Sequence, residues 1–435
     1  MTFYDLQPLS VAKGCRYARP NKINPNEFVV GECYRNGNRF TEAIVWQKGK
    51  PSFLPLPGIQ STAQGVNAKQ NVVGSVDGRP FHFINKTGTT TILKDQNGQS
   101  AFGIACAINQ NEQIVGKIKI TDYQPVLWGG SSAVPVQLDK GVVFQWPFTE
   151  GTGRSINDNG FISGDTWNGG PTLNQGFVID YKKNFKLFLN PTLSNFLNYW
   201  ANNINNATPP QVVGSYEGLP YLYDFTQGGL FFLTANEIGA AFDINISGEV
   251  VGNVVPTQGN YQATLWTFYG LVKVDLNHPT ITNATSKGWQ LVSATSINDK
   301  GFIVGTGYLN GDMSRQLPWI LRPVVPIRKI PIEYMLPKLL WPGEQYDKPS
   351  PKGWPFKIPF PIPGPTPFQI VGDGFDHLQN ILGGKKIESL AATLKNDKVR
   401  IQLQRIAQNL RAAEMKKLVE KLKMKSRQRL PGRKK

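Results

Sequence analysis

Along the first 323 residues, apolar positions recur as short β-branched runs, each preceded by a polar turn and closed by glycine. The first unit, INPNEFVVG, spans Ile23 to Gly31, and six related units follow it. The leading asparagines of the seven units are Asn24, Asn67, Asn109, Asn157, Asn205, Asn245 and Asn298. Their average spacing, about 46 residues, is that of a repeat built from a few short strands.

Each unit predicts a tight hairpin. Asparagine and glycine tolerate positive φ and form turns, whereas Val-Val and Ile-Val runs favour strands. A second hairpin is predicted by an apolar or aromatic residue followed ten positions later by leucine. The six pairs are Trp46 and Leu56, Phe83 and Leu93, Trp128 and Leu138, Ile179 and Leu189, Tyr223 and Leu233, and Trp266 and Leu276.

Four short strands per repeat predict an all-β, seven-bladed β-propeller over residues 1–323. A solenoid of strand pairs is the rival arrangement, and it would need polar caps at both ends. The seventh repeat has a third strand near Trp319 and then meets Pro323 and Pro326, with no fourth strand. We expect residues 2–7 to complete that blade, because Phe3-Tyr4-Asp5-Leu6 resembles the fourth strand ending at Leu276.

The repeated I-N-x-x-G-x-[IV]-V-G unit, followed by strands such as Ala43 to Trp46 and Ala263 to Trp266, resembles the HAF-type "extracellular repeat" propellers of bacteria. The resemblance covers about three quarters of the chain and recurs seven times. It implies a propeller fold and no defined activity.

Connections of variable length should emerge on one face of such a propeller, where binding usually resides. We identify Trp146, Trp167, Tyr261 and Trp289 as the candidate partner-binding face, beside Phe144, Phe148 and Trp200. Such aromatic residues stack on sugars or anchor protein interfaces. The competing interpretation is packing between blades.

Little in the sequence predicts catalysis, a cofactor or a metal site. Only three histidines are present, and their spacing suggests neither a metal centre nor a Ser-His-Asp triad. Asp122, Glu150 and Asp165 are loop carboxylates that could pair as in glycosidases, but nothing in the sequence brings two of them together. Ile156 to Trp167 faintly resembles a sialidase Asp-box, and we interpret it as a turn.

The three cysteines are an odd number, so we expect buried or free thiols rather than a disulfide framework. The first residues show neither a basic nor an apolar signal region, and no apolar run approaches the length of a membrane span. These features predict a soluble chain of unknown compartment without a transmembrane segment.

The formal net charge of +17 is concentrated in the last quarter of the chain. Residues 1–323 carry 24 basic and 21 acidic side chains, and residues 324–435 carry 23 and 9. Residues 324–373 contain 12 prolines interleaved with aromatic residues, which predicts an extended docking arm. The aromatic residues proposed to dock it are Trp354, Phe356, Phe360 and Phe368.

Residues 374–435 predict a basic amphipathic helical tail ended by Pro431-Gly432. It is either a solvated face or an anchor on a polyanion, namely nucleic-acid phosphates, an acidic protein surface or an anionic membrane. Its candidate polyanion-binding residues are Arg405, Arg411, Lys416, Lys417, Lys421 and Lys423.

Together these features favour a non-catalytic interaction or structural protein within a larger assembly, such as a virion or other particle. The arm and the basic tail would dock it to a protein partner, and the face of variable loops would present a binding surface. The alternative is a glycan-binding, lectin-like propeller, or a glycan-cleaving one.

Overall fold

The computed structural model describes residues 2–35, 40–130, 134–138, 150–167, 174–182, 185–189, 198–225, 229–234, 236–256, 259–267, 270 and 272–326. These residues form seven four-stranded antiparallel sheets, so the predicted all-β, seven-bladed propeller is confirmed. Within these ranges the helical structure is a 3-10 turn at Thr285–Lys287. Trp146, the arm from residue 327 onward and the basic tail lie outside the described residues.

The strands follow one another in chain order within blades 1 to 6, and blade 7 takes its fourth strand from the N-terminus. Blade 1 is β2 Cys15–Ile23, β3 Phe28–Arg35, β4 Thr41–Gln47 and β5 Lys50–Phe53; blade 2 is β6 Ser61–Val66, β7 Val72–Val76, β8 Arg79–Ile84 and β9 Thr89–Ile92; blade 3 is β10 Gly103–Ile108, β11 Ile114–Lys119, β12 Tyr123–Trp128 and β13 Val136–Gln137; blade 4 is β14 Glu150–Ile156, β15 Phe161–Trp167, β16 Asn174–Asp180 and β17 Phe185–Phe188. Blade 5 is β18 Tyr199–Ile204, β19 Gln211–Tyr216, β20 Leu219–Asp224 and β21 Gly229–Phe232; blade 6 is β22 Ile238–Ile244, β23 Val250–Val255, β24 Gln262–Thr267 and β25 Val272–Asp275; blade 7 is β26 Trp289–Ile297, β27 Ile303–Leu309, β28 Leu317–Pro326 and the N-terminal β1 Thr2–Pro8.

The N-terminal strand closes the ring, as predicted. β1 pairs antiparallel with β28, and its free edge is covered by the segment that precedes β26. Tyr4 donates its backbone N–H to the Ile281 carbonyl at 2.8 Å, and Leu6 donates to Asn283 Oδ1 at 2.7 Å. Both edges of β1 are therefore hydrogen-bonded, which removes an exposed sheet edge.

Two details of the predicted strand alignment are wrong. The backbone N–H of Leu9, rather than Leu6, makes the bond to Pro318 that Leu276 makes to Ala263 in blade 6. In blade 1 the equivalent leucine is Leu54 rather than Leu56, because a two-residue turn at Lys48-Gly49 shortens the hairpin. β28 also extends three residues past the predicted domain boundary at 323, to Pro326.

The core lies between neighbouring blades. Val73 and Leu93 of blade 2 pack with Trp128 of blade 3, and Val304 of blade 7 packs with Trp46 of blade 1. This burial of large apolar side chains on both faces of each sheet stabilises the ring. No helix among the described residues is long and apolar enough to cross a membrane.

A disulfide between Cys15 and Cys33 corrects the prediction of unpaired thiols. The two residues lie in the antiparallel pair β2–β3, where an irregular register between Cys15 and Tyr17 brings their Cα atoms to 5.8 Å. That separation suits a disulfide. An odd cysteine count does not exclude one bridge, and Cys106 remains free.

Candidate binding face and polar cluster

The propeller has two chemically different faces. The turn face carries the seven asparagine turns and the turns between third and fourth strands. The loop face carries the remaining connections, whose lengths vary from blade to blade. Antiparallel strand order places these two kinds of connection on opposite sides.

On the turn face, the seven repeat asparagines form a closed hydrogen-bonded ring. Each side-chain Oδ1 accepts one or two backbone N–H groups of its own turn; Asn24 accepts from Asn26 and Phe28, and Asn67 accepts from Asn71. Each Nδ2 donates to the backbone carbonyl of the next repeat asparagine. The donor–acceptor pairs are Asn24 to Asn67 (2.9 Å), Asn67 to Asn109 (3.2 Å), Asn109 to Asn157 (3.0 Å), Asn157 to Asn205 (2.9 Å), Asn205 to Asn245 (3.1 Å), Asn245 to Asn298 (3.3 Å) and Asn298 to Asn24 (2.9 Å).

The ring shows that each repeat asparagine does more than turn the chain. All seven side chains are buried, and a buried amide needs partners for its donor as well as its acceptor. Because consecutive asparagines touch around the whole circle, the first strand of each blade lies innermost. One amide per blade therefore fixes both the local turn and the position of the neighbouring blade.

Every innermost strand contains a β-bulge three residues before its asparagine. At each bulge one residue has no partner in the second strand, which bends the strand locally. The bulged residues are Asn21, Gln64, Cys106, Arg154, Asn202, Phe242 and Thr295.

The bulge explains the glycine that closes each repeat unit. A Cβ added to any of these seven glycines would lie 1.7 to 2.2 Å from a carbonyl oxygen of the first strand, two residues before the bulge. Such an approach is impossible for any side chain. The glycines are Gly31, Gly74, Gly116, Gly164, Gly214, Gly252 and Gly305.

Three bulged side chains extend the inter-blade bonding inward from the asparagine ring. Asn21 donates to the Ala63 carbonyl at 2.9 Å, and Asn202 donates to the Ala241 carbonyl at 2.9 Å. Thr295 donates its hydroxyl to the Pro20 carbonyl at 2.7 Å. Each acceptor directly precedes the bulge of the next blade. In blades 3 and 4 the same position holds Cys106 and Arg154, so the chemistry changes there.

In blade 4 the bulged residue is Arg154, so an ion pair links the innermost strand to β15 close to the propeller axis. The Arg154 guanidinium bonds the Asp165 carboxylate and lies 4.8 Å from the centre of the Trp200 ring. Asp165 is fully buried, whereas the Arg154 side chain is one-third exposed. Burial raises the pKa of the Asp165 carboxyl, and Arg154 opposes that shift. Burial would lower the pKa of Arg154, but the attraction of Asp165 outweighs it and raises that pKa.

A second group of polar and aromatic side chains joins blades 3 and 4 towards the loop face. The Lys117 ammonium lies 4.3 Å from the centre of the Tyr123 ring and 5.0 Å from that of Trp167. The Trp167 indole N–H donates to Glu150 Oε2 at 3.0 Å. Burial lowers the pKa of Lys117 and raises that of the neighbouring Cys106 thiol to about 11. We call Lys117, Tyr123, Glu150, Arg154, Asp165 and Trp167 the blade 3–4 cluster.

The aromatic residues predicted to form a binding face occupy different environments. Trp167 belongs to the blade 3–4 cluster, and Tyr261 is exposed on the loop face of blade 6. Trp289 is only 6% exposed, because it begins the innermost strand β26 and packs inside the fold. It therefore presents no ring to a partner, and this part of the prediction is wrong.

The structure gives the three carboxylates considered for catalysis different partners and positions. Asp165 is committed to Arg154, and Glu150 accepts from Trp167, while Asp122 lies in the turn between β11 and β12. Among the described residues, no group of three or more His, Cys, Asp or Glu side chains could hold a metal ion.

Sequence reasoning missed Lys117 and Arg154, although the repeat itself marks them. Lys117 and Asp165 each follow a repeat glycine directly, and Cys106 and Arg154 each precede a repeat asparagine by three residues. Aligning the seven units at those two positions reveals charged or reactive side chains at one position in blade 1, where Glu32 follows Gly31, and at both positions in blades 3 and 4. The bulge that leaves Cys106 and Arg154 without a partner in the second strand is not visible in the sequence.

The loop face also exposes large apolar side chains. Of the twelve such residues exposed in the described part of the chain, seven lie on this face. They occur in blades 1, 2, 3, 6 and 7 and are Phe40, Ile59, Phe102, Ile120, Ile238, Tyr261 and Met313.

No family model and no curated protein matches the chain. Solved structures with similar folds include the extracellular domain of a putative one-component system from B. thetaiotaomicron (9% identity, TM-score 0.48), covering 75% of this chain and 41% of that one. Others are a puromycin-hydrolysing peptidase of Mycobacterium tuberculosis (13%, 0.47, covering 75% and 55%) and an oligogalacturonate lyase in complex with manganese (8%, 0.45, covering 74% and 99%). The chain thus spans about two fifths of the first structure and just over half of the second. Likenesses this distant do not bear on activity.

Proposed function

We propose that this protein is a non-catalytic interaction or structural component of a larger assembly, such as a virion or other particle. Its loop face would contact a protein partner, while the Pro-rich arm and the basic tail would dock the molecule. The resemblance to HAF-type repeats is retained as part of this proposal. The observation that carries it is the set of seven large apolar side chains exposed on the loop face. A contiguous group of exposed apolar side chains is typical of a protein interaction site, and the loops that carry Phe102 and Ile120 adjoin in blade 3.

The distribution of the polar groups supports the same proposal. The repeat asparagines, three of the bulged side chains, Asp243 and Asp165 are engaged in contacts that hold blades or strands together. Lys22 reaches from blade 1 to Asp243 of blade 6 at 2.8 Å, across the innermost strand of blade 7. The polar interior thus serves closure of the ring, and the exposed apolar residues are left for a partner.

Affinity capture of the full-length chain from its native source tests the loop face. The double variant Phe102→Ser, Ile120→Ser should lose the co-purified partner, because it removes two exposed anchors from blade 3. Ile246→Ser is the matched control, since Ile246 is similarly exposed but lies in an asparagine turn on the opposite face. Retention of the partner by the double variant, or its equal loss in the control, would contradict the proposal.

Deletion of residues 374–435 tests docking separately. The shortened chain should keep its β-sheet circular dichroism and melting temperature, because all seven blades lie before residue 327. We expect it to lose co-purification with the assembly. If the shortened chain still co-purifies, the tail is not the anchor.

A glycan-binding function is the second candidate, and Trp167 favours it. This ring is partly exposed at the loop-face end of β15 and lies beside Glu150 and Lys117, a combination that suits stacking and hydrogen bonding to a sugar. A glycan array of the full-length chain, repeated with Trp167→Ala and Trp146→Ala, tests it. Binding that disappears in these variants would support a lectin, and a chain that binds no glycan would exclude one.

A further inference from the structure

Among the described residues, the Lys117 ammonium has no hydrogen-bonding partner. Tyr123 and Trp167 present their rings to it, yet the described residues place no hydrogen-bond acceptor or carboxylate within bonding distance of Lys117 Nζ. Ring faces attract a cation but leave its three N–H donors without strong acceptors. Elsewhere in the described part of the chain, Lys22 and Lys273 are also half-buried, and each contacts a carboxylate, whereas exposed lysines such as Lys119 lie in contact with solvent.

The charges around Lys117 leave it available to an anion. Arg154 is neutralised by buried Asp165, and Glu150 accepts the indole N–H of Trp167. Lys119 adds a further positive charge, 5.9 Å from the Tyr123 ring. Lys117, Lys119 and Arg154 thus stand beside Glu150, buried Asp165 and, in the turn between β11 and β12, Asp122. Because none of these carboxylates is bonded to Lys117 within the described residues, its charge can attract a negative group of a partner.

We propose that Lys117 is the anion-binding residue of the loop face and that its ligand is an aspartate or glutamate side chain of the protein partner. The inference rests on the proposed function, because it names the chemistry of the partner segment that meets this face. The tyrosine and tryptophan rings hold the ammonium in place, which reduces the entropy lost when it binds a carboxylate.

The neighbouring surface favours an acidic residue within a polypeptide. Phe102 and Ile120 are 61% and 42% exposed in the same blade, and the Lys119 N–H donates to the Phe102 carbonyl at 2.7 Å. The loops that carry both apolar residues therefore meet next to Lys119. A peptide with apolar residues on both sides of a glutamate matches this pattern of one cation and two apolar anchors.

The test is ¹³C NMR of the full-length chain with its lysines reductively dimethylated, which keeps their positive charge. The Lys117 resonance should be shifted upfield by the two rings, and its absence in Lys117→Arg identifies it. The probe is acetyl-Leu-Glu-Leu-amide, and acetyl-Leu-Gln-Leu-amide is the neutral match. The Lys117 resonance should shift saturably with the first peptide and about tenfold more weakly with the second, because a charge-assisted hydrogen bond is lost.

The Lys119 resonance, identified with Lys119→Arg, is the internal control and should respond less than that of Lys117. No saturable shift of Lys117, or equal responses of all lysines, would overturn the inference. Tighter binding of trigalacturonate or inorganic phosphate than of the glutamate peptide would show that the ligand of Lys117 is not an acidic polypeptide. The loop-face capture experiment does not change Lys117, so the two proposals can fail separately. If the capture variant loses its partner but the Lys117 resonance does not respond to the peptide, only the present inference is rejected.

Discussion

The turn face and the blade 3–4 cluster use the same repeat for different purposes. On the turn face one asparagine per blade makes the same two kinds of bond seven times, and the ring closes at Asn298 and Asn24. In the blade 3–4 cluster, two other positions of the repeat carry Lys117, Asp165 and Arg154, and each of these residue types occurs at its position in one blade only. Repeated residues therefore specify closure, whereas residues that break the repeat mark the place where we propose that the molecule binds.

The repeat glycines should give the largest effect. Gly214→Ala would place a Cβ 1.7 Å from the Trp200 carbonyl oxygen, so the bulge of blade 5 would have to move. We expect a loss of about 4 kcal/mol in the free energy of unfolding, or failure to fold, because the obstacle is backbone. Urea unfolding monitored by circular dichroism measures it.

Gly176→Ala is the matched control for that substitution. Its added Cβ would meet its nearest neighbours at 3.4 to 3.5 Å, which is ordinary contact, and its effect should be within about 1 kcal/mol. Equal destabilisation by the two alanines would mean that the repeat glycines are not required by the bulge.

Breaking the Arg154–Asp165 pair should have the next largest effect. Arg154→Met leaves a fully buried carboxylate without its cation, and we expect a loss of about 3 kcal/mol, reduced from the fully buried case because Arg154 is partly exposed. The double variant Arg154→Met, Asp165→Leu should recover most of that loss, as chemical denaturation would show. A double variant as unstable as the single one would contradict the ion-pair explanation.

Much of the fold follows from the sequence because its signal is repeated. Seven asparagine-glycine units predict seven blades, and a missing fourth strand predicts β1 in that position. The alignment of β1 was wrong by three residues because Leu6 and Leu9 both fit an apolar pattern, and only pairing with β28 distinguishes them.

The candidate site was harder to predict than the fold. Trp167 has the chemistry of a binding residue in the sequence, and so does Trp289, which the structure buries. Lys117 on β11 and Arg154 on β14 look like ordinary surface charges until the neighbouring blades place Trp167 and Trp200 against them. Burial and cross-blade contact depend on the neighbouring blade, which short sequence patterns do not contain.

The asparagine ring gives a smaller effect that tests closure directly. Asn109→Ala removes the bond to the Asn157 carbonyl and the two bonds that Oδ1 accepts within its turn. We expect a loss of about 2 kcal/mol in thermal or urea unfolding, because buried partners are left unpaired. Asn111→Ala in the same turn, whose amide is exposed, should cost less than about 0.5 kcal/mol. A ring that tolerates Asn109→Ala equally well would not contribute to closure.

His82 should give the smallest effect. It occupies a repeat position at which other blades carry an aliphatic residue. The equivalent residues of blades 1, 3, 5 and 6 are Val45, Leu127, Leu222 and Leu265, and all are buried like His82, which is 1% exposed. In the part of the chain that the structure describes, neither ring nitrogen of His82 has a hydrogen-bond partner. Burial lowers the pKa of His82, although Glu112 opposes the shift.

Because the pKa of His82 is lower in the folded chain than in the unfolded chain, the free energy of unfolding should fall as the pH falls. Above the unfolded-state pKa of about 6.5, His82 is neutral in both states and contributes no pH dependence. As the pH falls below that value, the unfolded chain takes up a proton that the native state does not, so the free energy of unfolding decreases until the folded pKa is reached. We expect a loss of about 1 kcal/mol between pH 7 and 5.5. His82→Leu should remove this component from urea-unfolding curves, whereas replacing exposed His278 by Gln should leave it in place. An unchanged pH profile in His82→Leu would show that the histidine titrates alike in the folded and unfolded chains.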